Sequence, residues 1–242
     1  MKKKYAFIDF LRFISFGGII YYHIAVQLML SEIRMDSEII GLYLRPNFHV
    51  ATLCVDLFFM LSGAGLYLST LHAETFSPGK YYLNRFRRIL IPYYFVFAAY
   101  ALVKFILGSE SVFEADIPAW RIVFTLLGLD QYMASAGVSC FTLGIGEWFL
   151  GCLILIYLLY PLLQLCMRKA PDLTLFGFTV YYIVMVGLDP FDQPPMHTNF
   201  FFKIYLFVLG MYLTGVLHER NGVLVRDPFS RQSAVTIISA CI

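Results

Sequence analysis

The sequence predicts an all-α protein, a polytopic bundle of transmembrane helices with about six complete spans and a partial seventh. Three observations predict it. Of the 242 residues, 60% are hydrophobic and only 14% are charged, with mean hydropathy +0.72, whereas a soluble domain carries about 25% charged residues. The apolar residues gather into runs of roughly 20, the length at which a helix crosses the hydrocarbon core. The basic residues collect in alternate loops, as they do on the cytoplasmic side of membrane proteins.

The spans are expected at 8–30, 51–71, 90–108, 146–167, 173–188 and 200–217. The lysine-rich start followed by the first run imitates a secretory signal. The run is too long for one, contains Arg12 and His23, and lacks a small-x-small cleavage site, so it is read as a retained membrane helix. A seventh span begins near Ser233 and stops at Ile242, about half the rise a crossing needs. The apolar stretch 120–129 is too short to span and is expected as an interfacial or re-entrant helix. The external region 109–145 contains Gly128, Gly137 and Gly144, with Gly146 just beyond it, and reads as a flexible loop or as a lid over an external site. No repeat or separate soluble domain interrupts 1–242.

With the N-terminus in the cytoplasm, segments 1–7, 72–89, 168–172 and 218–232 hold twelve of the eighteen Lys and Arg residues. The opposite loops hold Arg34, Arg45 and Arg121 beside acidic residues such as Glu32, Asp36, Glu38, Glu110, Glu114, Asp116 and Asp130. The cysteines, at 54, 140, 152, 166 and 241, form no C-x-x-C and mostly lie in apolar runs. They are expected to be small buried hydrophobes, with no disulfide framework and no metal site.

Four constellations carry candidate chemistry. The first span places Asp9, Arg12, His23 and Gln27 on one face, with Arg12 and His23 roughly 16 Å apart along the axis. Ionisable groups inside a span are functional candidates. Histidine is suited to proton transfer near neutral pH, although an Arg12–Asp9 pair that neutralises itself explains part of the face without function. That face is expected to look into protein or a wet cavity. The second constellation is Arg85, Arg87 and Arg88 at the mouth of the third span. Arg85 and Arg88 share a face and suit bidentate phosphate capture, while plain positive-inside anchoring is the alternative. In the third, Asp56 stands upstream of the small patch Ser62-Gly63-Ala64-Gly65, which permits close helix approach. In the fourth, Glu147 and Trp148 open the fourth full span, where the helix dipole favours the acid and the membrane interface the indole. Asp56, Glu147 and Trp148 are candidates to line a site. No nucleotide-binding Gly-rich loop, H-E-x-x-H, G-x-S-x-G or metal-ligand spacing occurs, and nothing points to nucleic acid.

Together these segments resemble the membrane acyltransferase-3 family. The similarity runs through Arg12 and His23 in the first helix and Phe58-Phe59-Met60-Leu61-Ser62-Gly63 in the second. It continues through Arg85-Phe86-Arg87-Arg88 followed by Ile89 to Tyr93, and through Trp148-Phe149-Leu150 leading to Tyr157-Leu158-Leu159-Tyr160-Pro161. It closes on Phe207-Val208-Leu209-Gly210-Met211. The order and spacing fit nearly the whole chain.

The resemblance implies an integral-membrane O-acyltransferase of the bacterial plasma membrane. It would move an acyl group, acetyl above all, from acyl-CoA to a hydroxyl of a cell-envelope carbohydrate or lipid-linked glycan. Arg85 and Arg88 would then hold the CoA phosphates, Arg12 would line the acyl path, and His23 would act as the base. Acetyl-CoA is implied as donor substrate, with no resident cofactor. Family members carry more spans than this chain, so the resemblance also implies one acyltransferase domain over 1–242 that is incomplete at its C-terminus. The rival expectation is non-enzymatic: a membrane exporter of a glycan or small molecule, or an inactive fragment. The acceptor and the oligomeric state are not specified by the sequence.

Overall fold

The structure, a computed structural model, describes residues 6–30, 50–71, 76–106, 116–141, 147–188, 190 and 198–221. Eight α-helices and one 3-10 turn account for most of these residues, and no strand occurs among them. They are α1 (Ala6–Leu30), α2 (Val50–Leu71), α3 (Pro78–Ile106), α4 (Ile122–Leu126), α5 (Asp130–Ser135), α6 (Glu147–Lys169), α7 (Pro171–Leu188) and α8 (Phe200–Asn221). Five of them, α1, α2, α3, α6 and α7, are long and apolar enough to cross a membrane. The sixth expected span corresponds to α8, whose apolar part, Phe200–Val216, is shorter. The partial seventh lies outside the described residues.

Local chemistry sets the helix ends. Pro78 and Pro171 stand at the first helical position, where a missing N–H is not missed and the fixed φ suits the helix. Pro171 also separates α7 from α6, which closes through Arg168 and Lys169 in its last turn, cations that suit the negative end of the dipole. The third helix starts at Pro78, well before the apolar stretch 90–108 that hydropathy marks. Arg85, Arg87 and Arg88 therefore ride on the helix itself, as the shared face of Arg85 and Arg88 requires. Hydropathy locates the apolar part of a helix; the breaker locates its start.

The chain divides into two compact units. The first comprises Met1–Ala73, Pro171–Leu175 and Tyr205–Ile242; the second comprises Glu74–Ala170 and Phe176–Ile204. In the first unit, Ile8 of α1 packs with Leu61, Ala64 and Leu68 of α2, flanked by Leu11 and Leu57. The backbones of α2 and α8 touch directly. A Cβ on Gly63 would overlap the Phe207 carbonyl, and one on Gly210 would overlap the Met60 carbonyl. The glycine of each helix thus receives the backbone of the other, the close approach that small residues permit in membranes. Phe207, Val208 and Met211 are fully buried beside this contact.

In the second unit, α6 forms the core, with Cys152, Ile156 and Tyr160 fully buried. The region 116–141 is folded onto it and is not a flexible loop. Both short helices end in Schellman motifs around left-handed glycines, Gly128 (φ 66°) and Gly137 (φ 75°). Leu129 N–H donates to the Phe124 carbonyl and Val138 N–H to the Met133 carbonyl, the six-to-one bond of that motif. The segment 120–129, expected as a short non-spanning helix, is this 3-10 turn plus α4.

Candidate functional site

The polar face of α1 divides into two parts. At Arg12 it is engaged. Nη2 donates to the Leu61 carbonyl of α2 at 3.0 Å, and Nη1 lies 3.4 Å from Asp9 Oδ1. The Asp9 pair is long and its carboxylate is mostly exposed, at 64%, so it neutralises Arg12 only weakly. The seat of the guanidinium is Gly65, where a Cβ would stand 2.5 Å from Nη2. The second glycine of the small patch is therefore what admits Arg12 to the α2 backbone. A guanidinium has five N–H donors in a fixed fork, and anchoring it through the Leu61 carbonyl sets the direction of the rest.

His23 is exposed, and its ring meets the edge of Tyr22 at 5.6 Å. Of the face expected to look into protein or a wet cavity, the Arg12 end meets α2 and the His23 end is open among the described residues. The reason is helical phase. The covered line of α1 runs through Ile8, Ser15 and Tyr22, seven residues apart, with Leu11, Arg12, Gly18, Ile19, Ala25 and Val26 beside it. A seven-residue line drifts about 20° per heptad against a straight α-helix. Arg12 and His23 lie within about 20° of one another around the axis, so a line that includes Arg12 has rotated away by His23. The Gln27 side chain lies outside the described residues. Asp56 is half-buried on α2, in the same unit.

Arg85, Arg88, Glu147 and Trp148 belong to the second unit. Arg85 is half-buried, with its guanidinium 5.8 Å from the centre of the Tyr157 ring of α6, while Arg87 and Arg88 are exposed. The two arginines of the expected pair thus differ: one is held over an aromatic face and one is open.

Glu147 is buried at 3% exposure at the start of α6. Trp148 is half-buried and meets Phe149 edge-on. Around this end of α6 lie polar groups that the sequence reading passed over. Asp130, Asn199 and Lys203 are buried, with Lys203 within electrostatic reach of Cys152. Cys152 Sγ donates to the Thr198 carbonyl at 3.2 Å, and Tyr132 Oη lies 3.3 Å from the same sulfur. Tyr132 Oη also accepts the Phe200 N–H at 2.8 Å, and Gln131 Nε2 donates to Thr198 Oγ1 at 2.8 Å. Burial, with Cys152 beside it, pushes the Tyr132 hydroxyl far above the usual phenol range. Burial and the Asp130 charge raise the Cys140 thiol against the opposing pull of Arg121. Gly128 and Gly151 bring the folded segment onto α6, since a Cβ on either would overlap the backbone at the other.

The cysteines correct the expectation of uniform burial. Cys152 is buried, Cys54 and Cys140 are half-buried, and Cys166 is exposed, all as free thiols. Cys166 sits on an outward face of α6, where an apolar thiol suits lipid as well as core. No cluster able to hold a metal ion occurs among the described residues.

A family model for the acyltransferase domain of the acyltransferase-3 family matches residues 5–242. The chain belongs to this family. No curated protein and no solved structure matches it.

Several motifs of this acyltransferase-3 chain acquire a physical reason from the geometry. Phe-Phe-x-Leu-Ser-Gly and Phe-x-Leu-Gly-Met interlock through Gly63 and Gly210. Tyr93, which closes the run after Arg88, donates from Oη to the Thr125 carbonyl at 2.8 Å and so ties α3 to α4. The missed group Lys203 had a legible signal, a lysine inside an apolar run. Asp130 had none, because a carboxylate in a loop reads as solvated until the loop is seen to pack.

Proposed function

We propose that the chain is an integral-membrane O-acyltransferase that uses acyl-CoA, acetyl-CoA first among donors, to acylate a hydroxyl of a cell-envelope carbohydrate or lipid-linked glycan. The observation that carries acyl transfer is the family match across residues 5–242. The residue roles rest on chemistry. His23 takes the proton of the acceptor hydroxyl as that oxygen attacks the thioester carbonyl. The ester forms, the C–S bond breaks, and the leaving CoA sulfur departs as the thiol, the proton taken by His23 being released in balance.

An exposed imidazole is reachable by a hydroxyl, and histidine is a residue type suited to general-base work. Arg12, fixed on the Leu61 carbonyl and roughly 16 Å along the helix axis from His23, lines the acyl path with its remaining N–H donors. Arg85 and Arg88 take the phosphates of CoA. The charge asymmetry supports a cytoplasmic N-terminus in a bacterial plasma membrane, with His23 in the outer half of the bilayer. Asp56 in the first unit, and Glu147 and Trp148 in the second, are further candidate site residues.

The test is acyl transfer from labelled acetyl-CoA to a carbohydrate acceptor by protein reconstituted in liposomes. His23→Ala and Arg12→Ala are each expected to lower product acylation by about 100-fold or more while leaving membrane insertion intact. Product acylation retained in both variants overturns the mechanism. Movement of the acceptor across the membrane without acylation points instead to transport.

A further inference from the structure

We propose that Tyr157 is a positioning residue for Arg85, and that the break made by Pro161 in α6 is the seat that holds the arginine turn in place. The proposal rests on the reading of Arg85 as a ligand for the phosphates of acyl-CoA.

Pro161 lies inside α6 and has no N–H, so the carbonyl four residues earlier, that of Tyr157, loses its helical donor. An orphaned carbonyl inside a membrane helix is re-satisfied by a neighbouring group. Here the donor comes from α3. Tyr81 Oη donates to the Tyr157 carbonyl at 3.1 Å, and Tyr82 Oη donates to the adjacent Leu158 carbonyl at 2.8 Å. The tyrosine pair just before the arginine turn is thus latched onto the turn that the proline opens. Stacking reinforces the latch: Tyr81 lies against Tyr160 with ring centres 5.1 Å apart and planes 28° apart. Tyr160 is fully buried, and Tyr81 and Tyr157 nearly so.

Arg85 is one turn beyond Tyr81 on α3, and the latch brings its guanidinium over the Tyr157 ring at 5.8 Å. A guanidinium stacked on a ring keeps its N–H edge free for a planar anion while its rotation is restricted. Arg88 has no such support among the described residues and is exposed. Arg85 therefore supplies the oriented, bidentate contact, and Arg88 a point of charge.

The experiment measures acetyl-CoA affinity by calorimetry on the full chain in nanodiscs. Arg85→Ala weakens binding if Arg85 holds the phosphates. Tyr157→Phe, which keeps the ring, binds like the parent. Tyr157→Leu, which removes the ring face, binds about 2- to 5-fold more weakly. The Arg85→Ala, Tyr157→Leu double variant binds no worse than Arg85→Ala alone. Arg85→Lys, which disturbs no buried residue, also weakens binding because an ammonium lacks the planar fork. Weakening by Arg85→Ala together with parental affinity in Tyr157→Leu and Arg85→Lys overturns the positioning role and leaves the acyl-CoA reading standing. Parental affinity in Arg85→Ala overturns both.

Discussion

At the scale of single residues, the decisive pairing is a glycine with an arginine. Arg12 reaches the Leu61 carbonyl because Gly65 offers no side chain where Nη2 rests. Gly→Ala inside a helix ordinarily stabilises by about 0.5–1 kcal/mol. At Gly65 that gain is opposed by displacement of a charged donor from its carbonyl, a bond worth about 1.5–3 kcal/mol. Gly65→Ala is therefore expected to leave the melting temperature of the detergent-solubilised protein unchanged or lower it. In an Arg12→Ala background the same substitution is expected to raise it. An equal shift in both backgrounds rules out the guanidinium as the group that Gly65 accommodates. Arg12 and His23 were legible as candidates from the sequence alone, because ionisable groups inside a span stand out. Their unequal burial was not, since it depends on where the line of contact with the neighbouring helix has drifted by each turn.

At the scale of elements, the segment 116–141 changes character most. Its glycines suggested looseness in the sequence. Gly128 and Gly137 instead terminate two short helices, and Gly128 meets Gly151 backbone to backbone. A side chain at 128 is strained twice, by its left-handed φ and by overlap with α6. Gly128→Ala and Gly151→Ala are each expected to destabilise the docked segment by about 1–3 kcal/mol. Hydrogen exchange of amides in 116–141 then accelerates, while that of α1 and α2 stays unchanged. Unchanged exchange in 116–141 removes the claim that these glycines dock it. The extent of α3 shows the same limit of local reading. Hydropathy marked 90–108, and Pro78 extends the helix back across the arginine turn.

At the scale of the whole molecule, composition and charge carry the inference. Apolar helices with exposed Leu, Ile and Phe, α7 having no buried residue at all, suit a lipid environment. The proposed orientation puts the basic residues of 72–89 and 168–172 in the cytoplasm, following the positive-inside tendency. In a cysteine-free background, a single cysteine at Ser139 is expected to react with an impermeant maleimide from outside intact cells. One at Ser77 is expected to react only after permeabilisation; both positions are exposed. The reverse pattern inverts the orientation, and with it the assignment of Arg85 and Arg88 to a cytoplasmic donor.

The sequence by itself determined that this is a helical membrane protein and, through motifs in order along nearly the whole chain, that it is an acyltransferase-3 protein. Span length, hydropathy and motif order are properties of neighbours along the chain, so no fold is needed to read them. Only the tertiary structure decided which motif serves which. Gly63 and Gly210 receive each other's backbones, Gly65 seats Arg12, and the carbonyl freed by Pro161 receives Tyr81 and sets Arg85 over Tyr157. These pairings join residues tens to more than a hundred positions apart. They follow from backbone proximity and helical phase, which no local pattern encodes.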